Sequence, residues 1–190
     1  MKKIAVMLGE GFEEIEALTC VDVLRRAGFV CDMVSVSESL MVKSVHGIEV
    51  KADKTISNEL NEYDMIVCPG GLPGADNLAN SELLIETIRE FNEKDDKYIA
   101  AICASPAIVL SKAGIEENRY ITSYPGEDFE GMLDKANYVE ELVVVDKNLI
   151  TSRGPATTLL FAYKLVDILG GNSSSLKEGM LWNLVEKEEE

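Results

Sequence analysis

Cys103 closes the apolar run Tyr98-Ile99-Ala100-Ala101-Ile102 and stands three residues before Pro106. Such a run reads as a buried strand, and a proline in the first turn marks a helix start. A thiol between the two sits near the positive end of the helix dipole, which is expected to stabilise thiolate and lower its pKa. The arrangement is like a nucleophile elbow, without the flanking glycines of G-x-S-x-G. A small cysteine filling the end of a strand gives the same pattern, so the local sequence leaves both readings open.

Two further segments end apolar runs in residues able to assist a nucleophile. Pro69-Gly70-Gly71 follows Met65 to Cys68; its glycines allow backbone N–H groups to approach a substrate oxygen, or form a plain tight turn. Gly9-Glu10-Gly11-Phe12-Glu13-Glu14-Ile15-Glu16 follows Lys3 to Leu8. A dinucleotide loop is excluded there, because no third glycine follows and three carboxylates take the place of a pyrophosphate. Glu16 reads either as an acid-base group or as a solvated carboxylate at a helix start. Cys20, Cys31 and Cys68 read as packing residues, and His46 as an exposed turn residue unconnected with catalysis.

The elements that must position these residues alternate between strand and helix. Strands are predicted at Lys3–Leu8, Val30–Val36, Met65–Cys68 and Tyr98–Ile102, with paired strands at Tyr138–Val145 and Leu149–Thr151. Met41–Lys51 alternates apolar and polar residues around His46-Gly47, as in a small antiparallel excursion. Helices are predicted at Glu13–Ala27, Ser81–Asn92, Ser105–Ala113, Ala156–Leu169 and Leu176–Val185. The pattern predicts an α/β, flavodoxin-like three-layer αβα sandwich, doubly wound around a mostly parallel central sheet. Ligands bind such sheets at the carboxyl ends of the strands, where all three loops fall.

With 190 residues and 46% apolar side chains, the chain fits one domain over residues 1–190, ending in a solvated acidic tail at about 186–190. Its net charge of −16 argues against nucleic acid and anionic membrane as partners. The four cysteines form no C-x-x-C pair and only one histidine is present, so neither a zinc motif nor a disulfide framework is expected. Lys2-Lys3 and the apolar run Ile4 to Leu8 imitate a signal peptide, but the run is too short. A cytoplasmic protein is expected.

Taken together, the segments resemble the ThiJ/PfpI superfamily, in its branch of the Parkinsonism-associated protein deglycase, which is glyoxalase III-like. The resemblance rests on Gly11 to Ala17, Val21 to Gly28, Pro69-Gly70-Gly71, Ala100 to Ala104 and Thr151 to Thr157. It implies that Cys103 is the reactive cysteine and Glu16 the carboxyl group beside it. It further implies that the amides of Gly71 and Ala104 form an oxyanion site, that Gly70 and Arg26 lie at the pocket, and that the first helix takes part in a homodimer. Many members carry histidine in a Thr-His-Pro stretch where this chain has Ser123-Tyr124-Pro125. A phenol ionises near pH ~10, so Glu16 must carry the proton work.

The implied activity is conversion of 2-oxoaldehydes such as methylglyoxal to 2-hydroxy acids, or the related deglycation, with a small carbonyl substrate and without metal, glutathione or other cofactor. A second reading is an oxidative-stress sensor or redox-regulated chaperone working through oxidation of Cys103. A third, a thiazole monophosphate enzyme of thiamine-precursor synthesis, ranks lower because Glu10 to Glu16 is acidic.

Overall fold

The computed structural model describes residues 1–188. Of the expected acidic tail, residues 189 and 190 lie outside the described residues.

Among the described residues, eleven strands follow in chain order: β1 (Lys3–Leu8), β2 (Val30–Ser35), β3 (Met41–Lys43), β4 (Glu49–Lys51), β5 (Lys54–Thr55), β6 (Met65–Cys68), β7 (Tyr98–Ile102), β8 (Tyr120–Ile121), β9 (Asn137–Tyr138), β10 (Val143–Asp146) and β11 (Leu149–Ser152). Seven of them build the central sheet in the order β10-β11-β7-β6-β1-β2-β5, parallel except for the antiparallel pair β10/β11. This is the predicted three-layer, mostly parallel α/β architecture, and its chain reverses direction of growth between β1 and β6.

Both faces of the sheet are covered because successive side chains alternate between them. Ile4, Val6 and Leu8 join Val67, Ile102 and Ile150 in one core, under α1 (Glu14–Arg26) and a helix at Thr158–Ile168. Ala5 and Met7 join Ile66, Ala101 and Leu149 in the other, under the helix Glu82–Asn92. Burial on both faces explains why these strands read as continuous apolar runs.

α1 starts at Glu13, whose side chain accepts from the Ile15 amide at 3.2 Å, and ends before Gly28 at φ +83°. Its buried stripe is Glu16, Ala17, Cys20, Val21, Val23 and Leu24. Glu16 thus occupies the inward face one turn before Cys20, so the reading as a solvated helix-start carboxylate is corrected.

Other departures are local. The segment expected to be one strand from Tyr138 to Val145 is split, with Tyr138 in β9 and β10 beginning only at Val143. The intervening Glu140-Glu141 pair is solvated. The helix expected at Ser105–Ala113 is a π-helical turn at Pro106–Leu110 running into a single α-helical turn at Ser111–Ala113. The last helix is two pieces, Ser173–Gly179 and Trp182–Glu188, divided at Leu181 with φ +64°.

Candidate active site

Three strand-end loops meet over the carboxyl ends of β1, β6 and β7, which are neighbours in the sheet. Backbone and side-chain bonds sew them together. The Glu13 amide donates to the Gly70 carbonyl at 3.0 Å, and the Ser105 hydroxyl donates to the Pro69 carbonyl at 2.6 Å.

Cys103 sits at the apex, half-buried, with φ +64°. A non-glycine residue in the left-handed region is uncommon and is held there only by its surroundings. Both of its backbone groups are pinned: its N–H donates to the Ser152 carbonyl at 3.1 Å, and its carbonyl accepts from the Tyr124 amide at 2.8 Å. This is the geometry of a nucleophile elbow, which lifts the side chain off the strand end toward the loops.

Glu16 lies opposite and is fully buried. Its Oε2 accepts from the Gly70 amide at 2.7 Å, while Oε1 has no aligned hydrogen-bond partner among the described residues. Burial raises the carboxyl pKa to about 7, against the opposing bonds from Gly70 and Cys103. Because Oε2 is occupied by a donor, the proton of the neutral acid belongs on Oε1.

The thiol does not show the expected lowering. Burial pushes Cys103 up to about 12, with the charge of Glu16 and its hydrogen bond adding to the rise, while the amides of Gly71 and Ala104 pull down. The helix that follows opens as a five-residue π-turn, too short a dipole to outweigh desolvation. Cys103 and Glu16 therefore titrate as a coupled pair in which a charge on one disfavours a charge on the other. When Glu16 is protonated, the repulsion disappears and the two amides stabilise thiolate.

Gly70 and Gly71 are required as glycines. A Cβ on Gly70 would lie 2.6 Å from Cys103 Cβ and 2.9 Å from Glu16 Oε2. Gly71 has φ +86°, and its Cβ would meet the Glu13 nitrogen and the Gly11 oxygen at 2.5 Å. Ala104 is buried beside the thiol.

Tyr124 is present at the rim. Its backbone braces Cys103, its ring packs edge-on against Phe129 with centroids 5.9 Å apart, and Gly154 lies beneath the ring. Arg26 is not brought in. It lies ten residues after Glu16 on α1, about 15 Å along the helix axis, and pairs with Asp22 at 2.7 Å in solvent. Its expected place at the pocket is corrected.

Sequence reasoning did not foresee Ser105, Ser152 or the docking of the β3–β4 turn against this loop. That turn is fixed by the Val45 amide donating to the Phe12 carbonyl at 2.9 Å and the Gly11 amide to the Lys43 carbonyl at 2.8 Å. It brings His46 Nδ1 to 2.9 Å from Glu14 Oε1. A separate hollow of about 540 Å³ around Arg119 and Asn148 lies where β7 and β11 begin, away from the thiol.

A cysteine at φ +64° over the carboxyl ends of a parallel sheet, facing a buried carboxyl and two amides, defines the class: an α/β protein with a thiol at its strand ends. The profile of the DJ-1/PfpI family matches residues 2–168, and the chain belongs to that family. It is similar to Protein DJ-1 homolog B of Arabidopsis thaliana, at 38% identity over 92% of this chain. The chain spans only 40% of that relative's length. The glutathione-independent glyoxalase DJ-1 of Schizosaccharomyces pombe is 30% identical, over 88% of this chain and 91% of that protein. Oxidised DJ-1 of Toxoplasma gondii superposes with a TM-score of 0.88 at 36% identity, covering 95% of this chain and 98% of the other.

Proposed function

We propose that the chain converts small 2-oxoaldehydes, with methylglyoxal as the simplest, to 2-hydroxy acids without glutathione, metal or cofactor. The observation that carries this reading is the pairing of Cys103 with a buried Glu16 carboxyl whose pKa is about 7. Such a group can both give and take a proton near neutral pH. A relative bearing the name of a glutathione-independent glyoxalase supports it.

The Cys103 sulfur adds to the aldehyde carbon, and the carbonyl π electrons move to oxygen, which takes a proton, to give a hemithioacetal. The amides of Gly71 and Ala104, which face the Cys103 sulfur, hold the developing oxyanion in this reading. Glu16 removes the hydrogen of that carbon as a proton, and the electron pair moves toward the ketone to form an enediol. Return of the proton to the neighbouring carbon gives a 2-hydroxy thioester. Water then cleaves the C–S bond, releasing the 2-hydroxy acid and the thiol. The oxidation of one carbon is balanced by the reduction of its neighbour, so no external redox partner enters. Deglycation of early carbonyl adducts would use the same first step.

Lactate formation from methylglyoxal by chelator-treated protein tests the reading, with Cys103→Ser and Glu16→Gln as controls. Activity lost in both variants supports it; turnover that survives Cys103→Ser overturns it.

A second reading, sensing of oxidants, is favoured by the Glu16 Oε1 proton, which is free to donate to a sulfinate on Cys103. The other cysteines are buried, which favours sulfinate over disulfide.

We further propose a homodimer through α1. Exposed Ile15 borders an apolar hollow with Thr19, Pro155, Ala156, Thr158 and Leu159. A cytoplasmic location is part of the same proposal. Among the described residues, no helix is long and apolar enough to cross a membrane.

A further inference from the structure

Beside the thiol loop, and outside its proposed chemistry, Glu13, Glu14 and His46 place one ligand atom each within 4.8 Å of one another. The first two open α1, and the third comes from the β3–β4 turn. We propose that these three side chains form a binding site for a divalent transition-metal ion, with Zn²⁺ as the ion best suited to the donors.

The donor spacing favours a shared ion. His46 Nδ1 is 2.9 Å from Glu14 Oε1 and 3.7 Å from Glu13 Oε2. Ligand bonds of about 2.0–2.2 Å in a tetrahedron put donor atoms roughly 3.4 Å apart, between the two observed distances. The two distances from His46 thus need shifts of about half an ångström or less to reach this spacing, and the two carboxylate donors lie within 4.8 Å of each other.

The carboxylates also carry unmet acceptor capacity. Glu13's side chain is only 9% exposed. Its Oε1 takes the Ile15 amide, but Oε2 accepts no hydrogen bond from the described residues and points at His46 from beyond bonding distance. Glu14 Oε2 is buried and makes no aligned hydrogen bond, while the nearby Ser44 hydroxyl and His46 help hold this carboxylate ionised. A simple His46–Glu14 pair uses one carboxylate oxygen and leaves Glu13 Oε2 without a hydrogen bond from the described residues. A cation among the three groups engages it.

Neither side of the site has freedom to drift. Glu13 caps α1, and the turn carrying His46 is bonded through Val45 to Phe12 and passes through Gly47 at φ +86°. Imidazole with two carboxylates suits zinc better than the all-oxygen preference of magnesium or calcium. Three protein ligands leave a fourth position for water or a small anion. The histidine lies 32 residues from Glu14 in sequence, so no metal motif is visible in the chain itself.

The test is calorimetric titration of the full chain with Zn²⁺, repeated with Co²⁺ for its visible spectrum. Wild type and Cys103→Ala are expected to bind one ion, with a cobalt spectrum lacking the thiolate charge-transfer band and a raised melting temperature. Losing a mere supporting group costs about 10–100-fold in metal affinity, so His46→Ala and Glu14→Gln are expected to weaken binding by at least about 100-fold. The neighbouring Glu49→Gln, on β4, should bind as wild type does. The metal-free melting temperature of His46→Ala reports separately on folding. Binding that survives His46→Ala, binding lost in Cys103→Ala, or no stoichiometric binding at all overturns the proposal.

Discussion

The Gly70 amide donates to Glu16 Oε2 across 2.7 Å, and the same residue leaves no room for a side chain between that carboxyl and Cys103. One glycine thus sets both the orientation of the acid and its approach to the thiol. Gly70→Ala puts a methyl group into contact with Cys103 Cβ, Cys103 Sγ and Glu16 Oε2 at 3.0 Å or less. Overpacking of this kind costs about 1–3 kcal/mol. The expected result is a lower melting temperature and a strongly reduced rate of Cys103 alkylation. Normal thiol reactivity in a destabilised Gly70→Ala protein would show that the pair tolerates separation.

Glu16 makes stability pH-dependent in a defined direction. Its folded pKa of about 7 lies above the ordinary 4.5, so the folded state binds the proton more tightly than the unfolded chain. Its contribution is therefore fullest below pH 4.5, declines as pH rises, and is lost above about 7. A rise of that size corresponds to about 3 kcal/mol between the two limits. Glu16→Gln should remove this slope, so that variant gains on wild type as pH rises from about 4.5 to 7. Urea unfolding across that range, with chelator present, measures it. Parallel pH profiles for the two proteins would contradict the burial argument.

The same substitution should act on the thiol. The charge of Glu16 and its hydrogen bond both raise the Cys103 pKa, and a neutral glutamine removes the charge while leaving the amides of Gly71 and Ala104. Glu16→Gln should lower the pKa of Cys103 below the value of about 12 found with the carboxylate in place, even as turnover is lost. Ultraviolet titration of thiolate, with Cys103→Ala subtracted, reads this directly. An unchanged or higher thiol pKa would mean that burial alone governs Cys103.

What the sequence made legible follows from burial. The strands β1, β6 and β7 are covered on both faces, so their apolar runs marked them and the loops after them, and with those loops Cys103 and Gly71. Glu16 was not readable from its pattern alone, since acids also favour solvated first turns; only the family resemblance set it beside Cys103, although it falls on the stripe continued by Cys20 and Leu24. The two-residue strands β5, β8 and β9 carry too few side chains for any period to register. The last helix breaks at Gly179 and turns through Leu181 at φ +64°, so a glycine at the stop was legible but was read through as part of one helix. The lowering expected for the Cys103 pKa failed because burial, which no local pattern reveals, outweighs a short helix dipole. The meeting of His46 with Glu13 and Glu14 depends on hairpin docking and leaves no trace in spacing.

Arg119 gives a test of structure apart from chemistry. Its side chain is 11% exposed, pairs with Asp146 at 3.0 Å, and donates to Asn92 Oδ1 at 2.8 Å and Asn148 Oδ1 at 3.2 Å. It ties the start of β8 to the turn between β10 and β11, at the far end of the sheet from Cys103. Arg119→Met leaves the partly buried Asp146 without its counter-charge, and losing hydrogen bonds to a charged group costs about 1.5–3 kcal/mol. Denaturant unfolding should show that loss, while Cys103 alkylation of the still-folded protein stays near wild type. A large fall in thiol reactivity would reveal a coupling across the sheet.

Tyr124 decides whether a side chain other than Glu16 moves protons. Its contact with Cys103 runs through the backbone, N–H to carbonyl at 2.8 Å, and its ring is placed by Phe129. Neither interaction uses the hydroxyl. Tyr124→Phe keeps both, so turnover of methylglyoxal should stay within about threefold of wild type, far less than the 10²–10⁴-fold that an acid-base group contributes. Tyr124→Gly keeps the amide but removes the ring, and should lower turnover by loosening the rim over Cys103. Comparing kcat for the two variants separates the roles. If Tyr124→Phe alone loses a hundredfold or more, the phenol takes part in the proton transfers and Glu16 does not act by itself.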